Sequence, residues 1–130
     1  MISRATQLVI PVANKPGAME KLCSALGKDG INIIAILAPE AKGRGKVRVM
    51  VDDLDEARAA LKGAALRFSE EDVLDIELDN RPGAFGELAG KLARAKINIV
   101  FAYATTSAFA RARVIMAVAD AKKALAVLTQ

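Results

Sequence analysis

Two short runs in this chain carry the same chemistry. Asn14-Lys15-Pro16-Gly17-Ala18-Met19 returns 66 residues later as Asn80-Arg81-Pro82-Gly83-Ala84-Phe85. Each run precedes an apolar pattern of helical spacing, so each is read as a strand-to-helix elbow. Proline is well placed at a helix start, where its missing N–H would be unpaired anyway. Glycine lets the backbone turn sharply and approach a ligand closely. The amides of Gly17, Ala18 and Met19, and of Gly83, Ala84 and Phe85, then project from helix N-termini. Such an end carries about half a positive charge and binds carboxylate or phosphate. Asn14 and Asn80 each add a donor and an acceptor to their loop.

The elements that position these elbows repeat with them. Leu8, Ile10 and Val12 alternate on a strand before the first elbow, and Leu74, Ile76 and Leu78 do so before the second. Pro11 sits awkwardly in the first strand, but the second copy supports it. After the elbows, Met19, Leu22, Cys23 and Leu26 share one helical face, as do Phe85, Leu88, Ala89 and Leu92. Gly30 has the place of a C-terminal helix stop. Second strands follow, Ile31 to Leu37 and Ile97 to Ala104, apolar on both parities and so expected to be buried on both faces. Hairpins lead to third strands with Val47, Val49 and Val51, or Val114, Met116 and Val118. Further helices start behind Asp53 and Asp120, each an N-cap. Ala65 to Phe68 reads as a fourth strand of the first repeat. The second repeat stops at Gln130, one strand short.

The order is therefore β-α-β-β-α-β followed by β-α-β-β-α. This predicts an α+β fold of two ferredoxin-like units, residues 1–70 and 71–130, pairing through antiparallel sheets with helices on one face. Units of about 65 residues are near the lower limit for independent folding, so they should lean on each other. The absent last strand leaves an edge that a neighbouring unit or a second chain should cover.

Composition excludes several classes. The 130 residues contain no histidine and one cysteine, Cys23, which removes His-dependent nucleophiles and the usual zinc sites. A single cysteine makes no internal disulfide, so a cytoplasmic location is expected. No apolar run reaches the roughly 18 residues that span a membrane. A net charge of +4 permits nucleic acid without arguing for it. Phe101 and Tyr103 share a strand face, with Arg44, Lys46, Arg111 and Arg113 at strand edges. Base-stacking sheets carry aromatics on their central strands, and the first and third strands here have none. Asp52, Asp53, Asp55 and Glu56 complement a helix dipole and need no metal.

The pattern of strand, Asn-[Lys/Arg]-Pro-Gly-Ala, helix, then Gly-Ile-Asn-Ile or Lys-Ile-Asn-Ile resembles the ACT domain. It covers nearly the whole chain as a tandem pair, most like the small stand-alone double-ACT proteins. The resemblance implies a ferredoxin-like fold that binds amino acids, often as a feedback-regulatory module of biosynthetic enzymes. It implies units pairing side by side into an eight-stranded sheet. It places the ligand between the elbow of one unit and the second strand of its partner. Asn14, Gly17, Ala18 and Met19 carry over to one loop, and Asn80, Gly83, Ala84 and Phe85 to the other. Ile31, Asn32 and Ile33, with Ile97, Asn98 and Ile99, become the facing strands.

The reading is thus a non-catalytic, cytoplasmic regulatory protein that binds an amino acid, forms a homodimer, and needs neither cofactor nor metal. A biosynthetic enzyme or other regulated protein is a candidate partner. Two alternatives stay open: a regulatory subunit acting through protein contacts with no working ligand site, and a nucleic-acid-binding sheet.

Overall fold

The computed structural model describes residues 1–40, 42–106 and 111–130. Its elements are β1 (Ile2–Ala13), α1 (Ala18–Lys28), β2 (Ile33–Leu37), β3 (Arg44–Val51), α2 (Leu54–Gly63), β4 (Ser69–Asp79), α3 (Ala84–Arg94), β5 (Ile99–Thr106), β6 (Arg111–Val118) and α4 (Ala121–Leu128). The chain divides into two compact units. One is Thr6–Glu71; the other is Asp72–Gln130 together with Met1–Ala5.

In the Thr6–Glu71 unit the strands run in the order β2-β3-β1, all antiparallel. Leu8 and Ile10 of β1 and Val47 and Val49 of β3 turn to one face. There they meet Leu22 and Leu26 of α1 and Ala57 and Leu61 of α2 in a single core. In the second unit β4-β6-β5 are antiparallel in the same way. Leu74, Ile76, Val114 and Met116 pack with Leu88 and Leu92 of α3 and Ala124 of α4. This is the α+β, ferredoxin-like arrangement expected from the period-2 and period-3.6 patterns. Both N-caps form: Asp53 Oδ1 accepts from the Glu56 amide at 3.1 Å, and Asp120 Oδ1 from the Lys123 amide at 3.0 Å.

Three helices end alike. The amide two residues past the cap returns to the carbonyl three residues before it, as in Ile31 to Leu26, Leu66 to Leu61 and Ile97 to Leu92, all near 3 Å. The residue between is left-handed: Gly30 at φ 76°, Ala65 at 58° and Lys96 at 61°. This is the Schellman closure, in which the apolar residues that bond also pack. Gly30 thus stops α1 as expected. Lys96, its counterpart in the second repeat, takes the same conformation without being glycine.

Three expectations change. Ala65 to Phe68 is not a strand, because Ala65 is the left-handed residue of that closure and extended structure resumes only at Ser69. The second strands are not buried on both faces. β2 and β5 are last in their strand order, with Ile36 and Val100 40% and 62% exposed. Continuous burial belongs to β1, from Gln7 to Ile10, and to β6, from Val114 to Ala117. The absent last strand of the second repeat is supplied by the chain's own beginning. Met1–Ala5 belong to that unit, the Met1 carbonyl accepts the Glu77 amide at 2.9 Å, and Arg4 reaches Asp72 at 3.1 Å.

Among the described residues one polar side chain is fully buried. Gln7 Nε2 donates to Glu71 Oε1 at 2.8 Å, and Arg48 Nε donates to the same oxygen at 2.9 Å. Burial is tolerable there because the amide is hydrogen-bonded to a charged acceptor.

Candidate functional site

The elbows are type II turns. Across Lys15-Pro16-Gly17-Ala18 the Ala18 amide returns to the Lys15 carbonyl at 3.3 Å, and Gly17 sits at φ 87°, ψ −15°. Across Arg81-Pro82-Gly83-Ala84 the matching bond is 3.2 Å, and Gly83 sits at φ 86°, ψ −10°. A type II turn places proline second and demands positive φ at the third residue, which glycine meets without strain. Pro16 and Pro82 therefore stand before the helix cap, not inside the helix as the sequence suggested. A Cβ built on either glycine would meet nothing within 4 Å. The glycine is required by its dihedral angle, not by crowding.

This geometry divides the expected amides. Those of Ala18 and Ala84 close the turns and are spoken for. The first helical bonds run from Lys21 to Gly17 at 3.0 Å and from Glu87 to Gly83 at 2.9 Å. The amides of Gly17, Met19, Gly83 and Phe85 make no hydrogen bond among the described residues. Asn14 and Asn80 are exposed beside them, and the Asn14 amide donates to the carbonyl of Gly43 in the following hairpin. Phe85 is 41% exposed, so it departs from the buried stripe of α3 and lies open at the elbow.

The elbows differ in charge. At the second, Arg81 spans the first turn of α3 and donates to both Glu87 carboxylate oxygens, at 3.1 and 2.6 Å. These bonds hold the Glu87 carboxyl below its ordinary range and raise Arg81. A cleft of about 200 Å³ opens beside this elbow, lined by Arg81, Ala84, Glu87, Lys91 and Arg111 among others. At the first elbow the matching residues are Lys15 and Lys21, like charges with no ion-pair partner among the described residues. Each helix carries one acid in its first turn, Glu20 in α1 and Glu87 in α3; the elbows differ in that Arg81 is paired with its acid and Lys15 and Lys21 are not.

The facing strands lie elsewhere in each unit. Ile31 and Ile97 are buried at the C-terminal ends of α1 and α3. An 11-residue helix is about 16 Å long, so each unit's elbow stands that far from its own second strand. The carbonyls of Asn32 and Asn98 already accept the amides of Asp52 and Ala119 at 3.1 and 3.0 Å. Ile33 and Ile99 open β2 and β5 and pack against their cores.

One group of residues was not singled out from the sequence. Asp75 and Glu77 lie on β4; Arg111 and Arg113, placed at a strand edge from the sequence, lie on β6. The structure brings them together around a cavity of about 410 Å³. Alternating acids on one strand opposite alternating arginines on another were the available signal. Among the described residues no group of His, Cys, Asp and Glu could hold a metal ion, and no helix is long and apolar enough to cross a membrane. Cys23 is half-buried on α1.

Known proteins share this fold. A crystal structure of a protein from Bacteroides thetaiotaomicron superposes with a TM-score of 0.93 at 30% identity, covering 98% of this chain and 88% of that one. The ligand-free regulatory subunit of aspartate kinase from Thermus thermophilus gives 0.69 at 20% identity, with 98% and 92% covered. E. coli aspartokinase III in complex with lysine and aspartate gives 0.60 at 16% identity, covering 97% of this chain but only 30% of that enzyme. The last two show likeness of fold alone. Among curated proteins none matches the chain. A family model described as an ACT domain pair matches residues 3–129, and with the repeated elbows and the two ferredoxin-like units it shows that the chain belongs to the ACT domain-pair family.

Proposed function

We propose that the chain is a non-catalytic regulatory protein that binds a free amino acid at its Pro-Gly elbows. The observation that carries this is the left-handed glycine opening α1 and α3, which leaves the amides of Gly17 with Met19, and Gly83 with Phe85, unengaged at a helix start. Two such amides and the helix field suit a carboxylate. Asn14 or Asn80 adds a hydrogen bond, and Met19 or Phe85 touches the ligand side chain. The residues about Ile31 to Ile33 and Ile97 to Ile99 lie a helix length from their own elbows. A site using both draws them from two different units, and we take the ligand to sit between two ACT units.

The exposed apolar residues Ile36 and Val100 on β2 and β5 favour a homodimer. Light scattering giving twice the mass of the chain is the expected result. A reducing cytoplasm suits the single, half-buried cysteine. The aspartate kinase likenesses favour one second reading, a subunit that regulates an enzyme through protein contacts.

A thermal-shift screen of the standard amino acids tests the first reading. A ligand at a hundred times its Kd should stabilise the protein by about 2.7 kcal/mol. If none of them shifts the transition, weight moves to the regulatory-subunit reading.

A further inference from the structure

We infer that the Asp75–Arg113 cavity is a second binding site, built for a small zwitterion and separate from the elbows. On β4, Asp75, Glu77 and Asp79 alternate with the core residues Leu74, Ile76 and Leu78. On β6, Arg111 and Arg113 alternate with Ala112 and Val114. The register sets Glu77 opposite Arg113, and Arg113 opposite Thr105 of β5. Since Val114 and Met116 turn to the helices, this charged row lies on the other face of the strands. The cavity it borders holds about 410 Å³ and is also lined by Ser3 and Thr106. That is within the range of small-molecule sites.

The hydrogen bonds leave the row able to bind. Arg113 gives one edge of its guanidinium to Asp75, through Nε at 3.0 Å and through Nη2. The opposite edge, Nη1 with the second Nη2 hydrogen, has no partner among the described residues. A guanidinium fixed by one carboxylate is oriented to take a second one bidentately. Glu77 is its complement. Its nearest cation is Arg111 Nε at 3.4 Å, too long for a strong hydrogen bond, because Arg111 Nη1 is committed to Asp79 at 2.6 Å. Glu77 is therefore available to an ammonium group. Arg113 and Glu77 thus present opposite charges to one cavity, the complement of a ligand that carries both a carboxylate and an ammonium. Hydroxyls from Ser3, Thr105 and Thr106 suit a polar side chain.

The first repeat keeps the cations, with Arg44 in the place of Arg111, but lacks the acids. Val9, Pro11 and Lys46 occupy the places of Asp75, Glu77 and Arg113. The cavity is thus a property of the second unit alone, with no part in the duplicated elbows.

The test is a ¹H–¹⁵N titration of the full chain with each standard amino acid, up to roughly 10 mM because a small site of this kind can be millimolar. The expected result is that at least one moves the backbone amides of Glu77, Thr105 and Arg113. Its N-acetyl and its carboxamide derivatives, each lacking one charge, should bind at least about tenfold more weakly, or 1.4 kcal/mol. Glu77→Gln should weaken the parent amino acid similarly and leave any response at Gly17 and Gly83 intact. Arg113→Lys, which keeps the charge but loses the fork, should do the same. No perturbation of these three amides by any amino acid overturns the proposal. So does equal binding of the blocked derivatives, or wild-type affinity in both variants in spectra that are otherwise unchanged. Elbow and cavity resonances come from different residues, so failure of one reading is visible apart from failure of the other.

Discussion

Replacing Gly17 or Gly83 by alanine separates two reasons for a glycine to be there. Both sites have open space where a Cβ would go. Crowding therefore contributes nothing, and the whole cost is the backbone. At φ 87° and 86° an L-residue is in the left-handed region, costing about 1–2 kcal/mol. Each substitution should lower stability by that amount and move the urea midpoint down by roughly 0.5–1 M, for a slope of about 2 kcal/mol per molar. The controls lie within the same two helices. Gly27 in α1 and Gly86 in α3 also face empty space but have helical dihedrals. Alanine there should raise stability by about 0.5–1 kcal/mol. Four single variants measured by urea denaturation thus have opposite expected signs from the same chemical change. If Gly17→Ala and Gly83→Ala are neutral or stabilising, the type II elbow is wrong. If all four variants lose stability alike, the substitutions act through packing and the dihedral argument fails.

Lys96→Gly should stabilise by up to about 1 kcal/mol, since it relieves a left-handed lysine; thermal or urea unfolding reads this directly. Asp53→Ala and Asp120→Ala each remove an N-cap and should cost about 1 kcal/mol in the same assay. Arg81 holds the folded-state pKa of Glu87 below the ordinary value of 4.5, so that stabilisation is complete above pH 4.5 and fades as the pH falls through the folded value. Glu87→Gln should accordingly flatten the stability-versus-pH curve in this acid range and leave its alkaline limb unchanged.

The duplicated turn made most of the fold legible. Leu8, Ile10, Leu74 and Ile76 marked the core face of the first strands because alternation is a local property. Asp53 and Asp120 marked helix starts for the same reason. Ala65 misled because its left-handed conformation comes from the Schellman closure of α2, and alanine carries no sign of positive φ. The place of Met1–Ala5 was hidden because it depends on pairing with residues some seventy positions away. The apolar character of β2 and β5 was visible, but not that these strands lie last in their order, since parity does not report neighbours. At the elbows, Asn-x-Pro-Gly located the turns correctly. It could not show that the amides of Ala18 and Ala84 close them, nor that Arg81 pairs with Glu87 at one elbow while Lys15 and Lys21 make no ion pair at the other among the described residues. Asp75 and Arg113 were legible as residue types, and only the strand register joined them.

The most direct test of the elbow account is a co-crystal structure with the amino acid that gives the largest thermal shift. The account predicts a ligand carboxylate oxygen about 2.7–3.2 Å from the amide nitrogens of Gly17 and Met19, or of Gly83 and Phe85. A ligand bound with its carboxylate away from both pairs, and those amides still facing solvent, would contradict it.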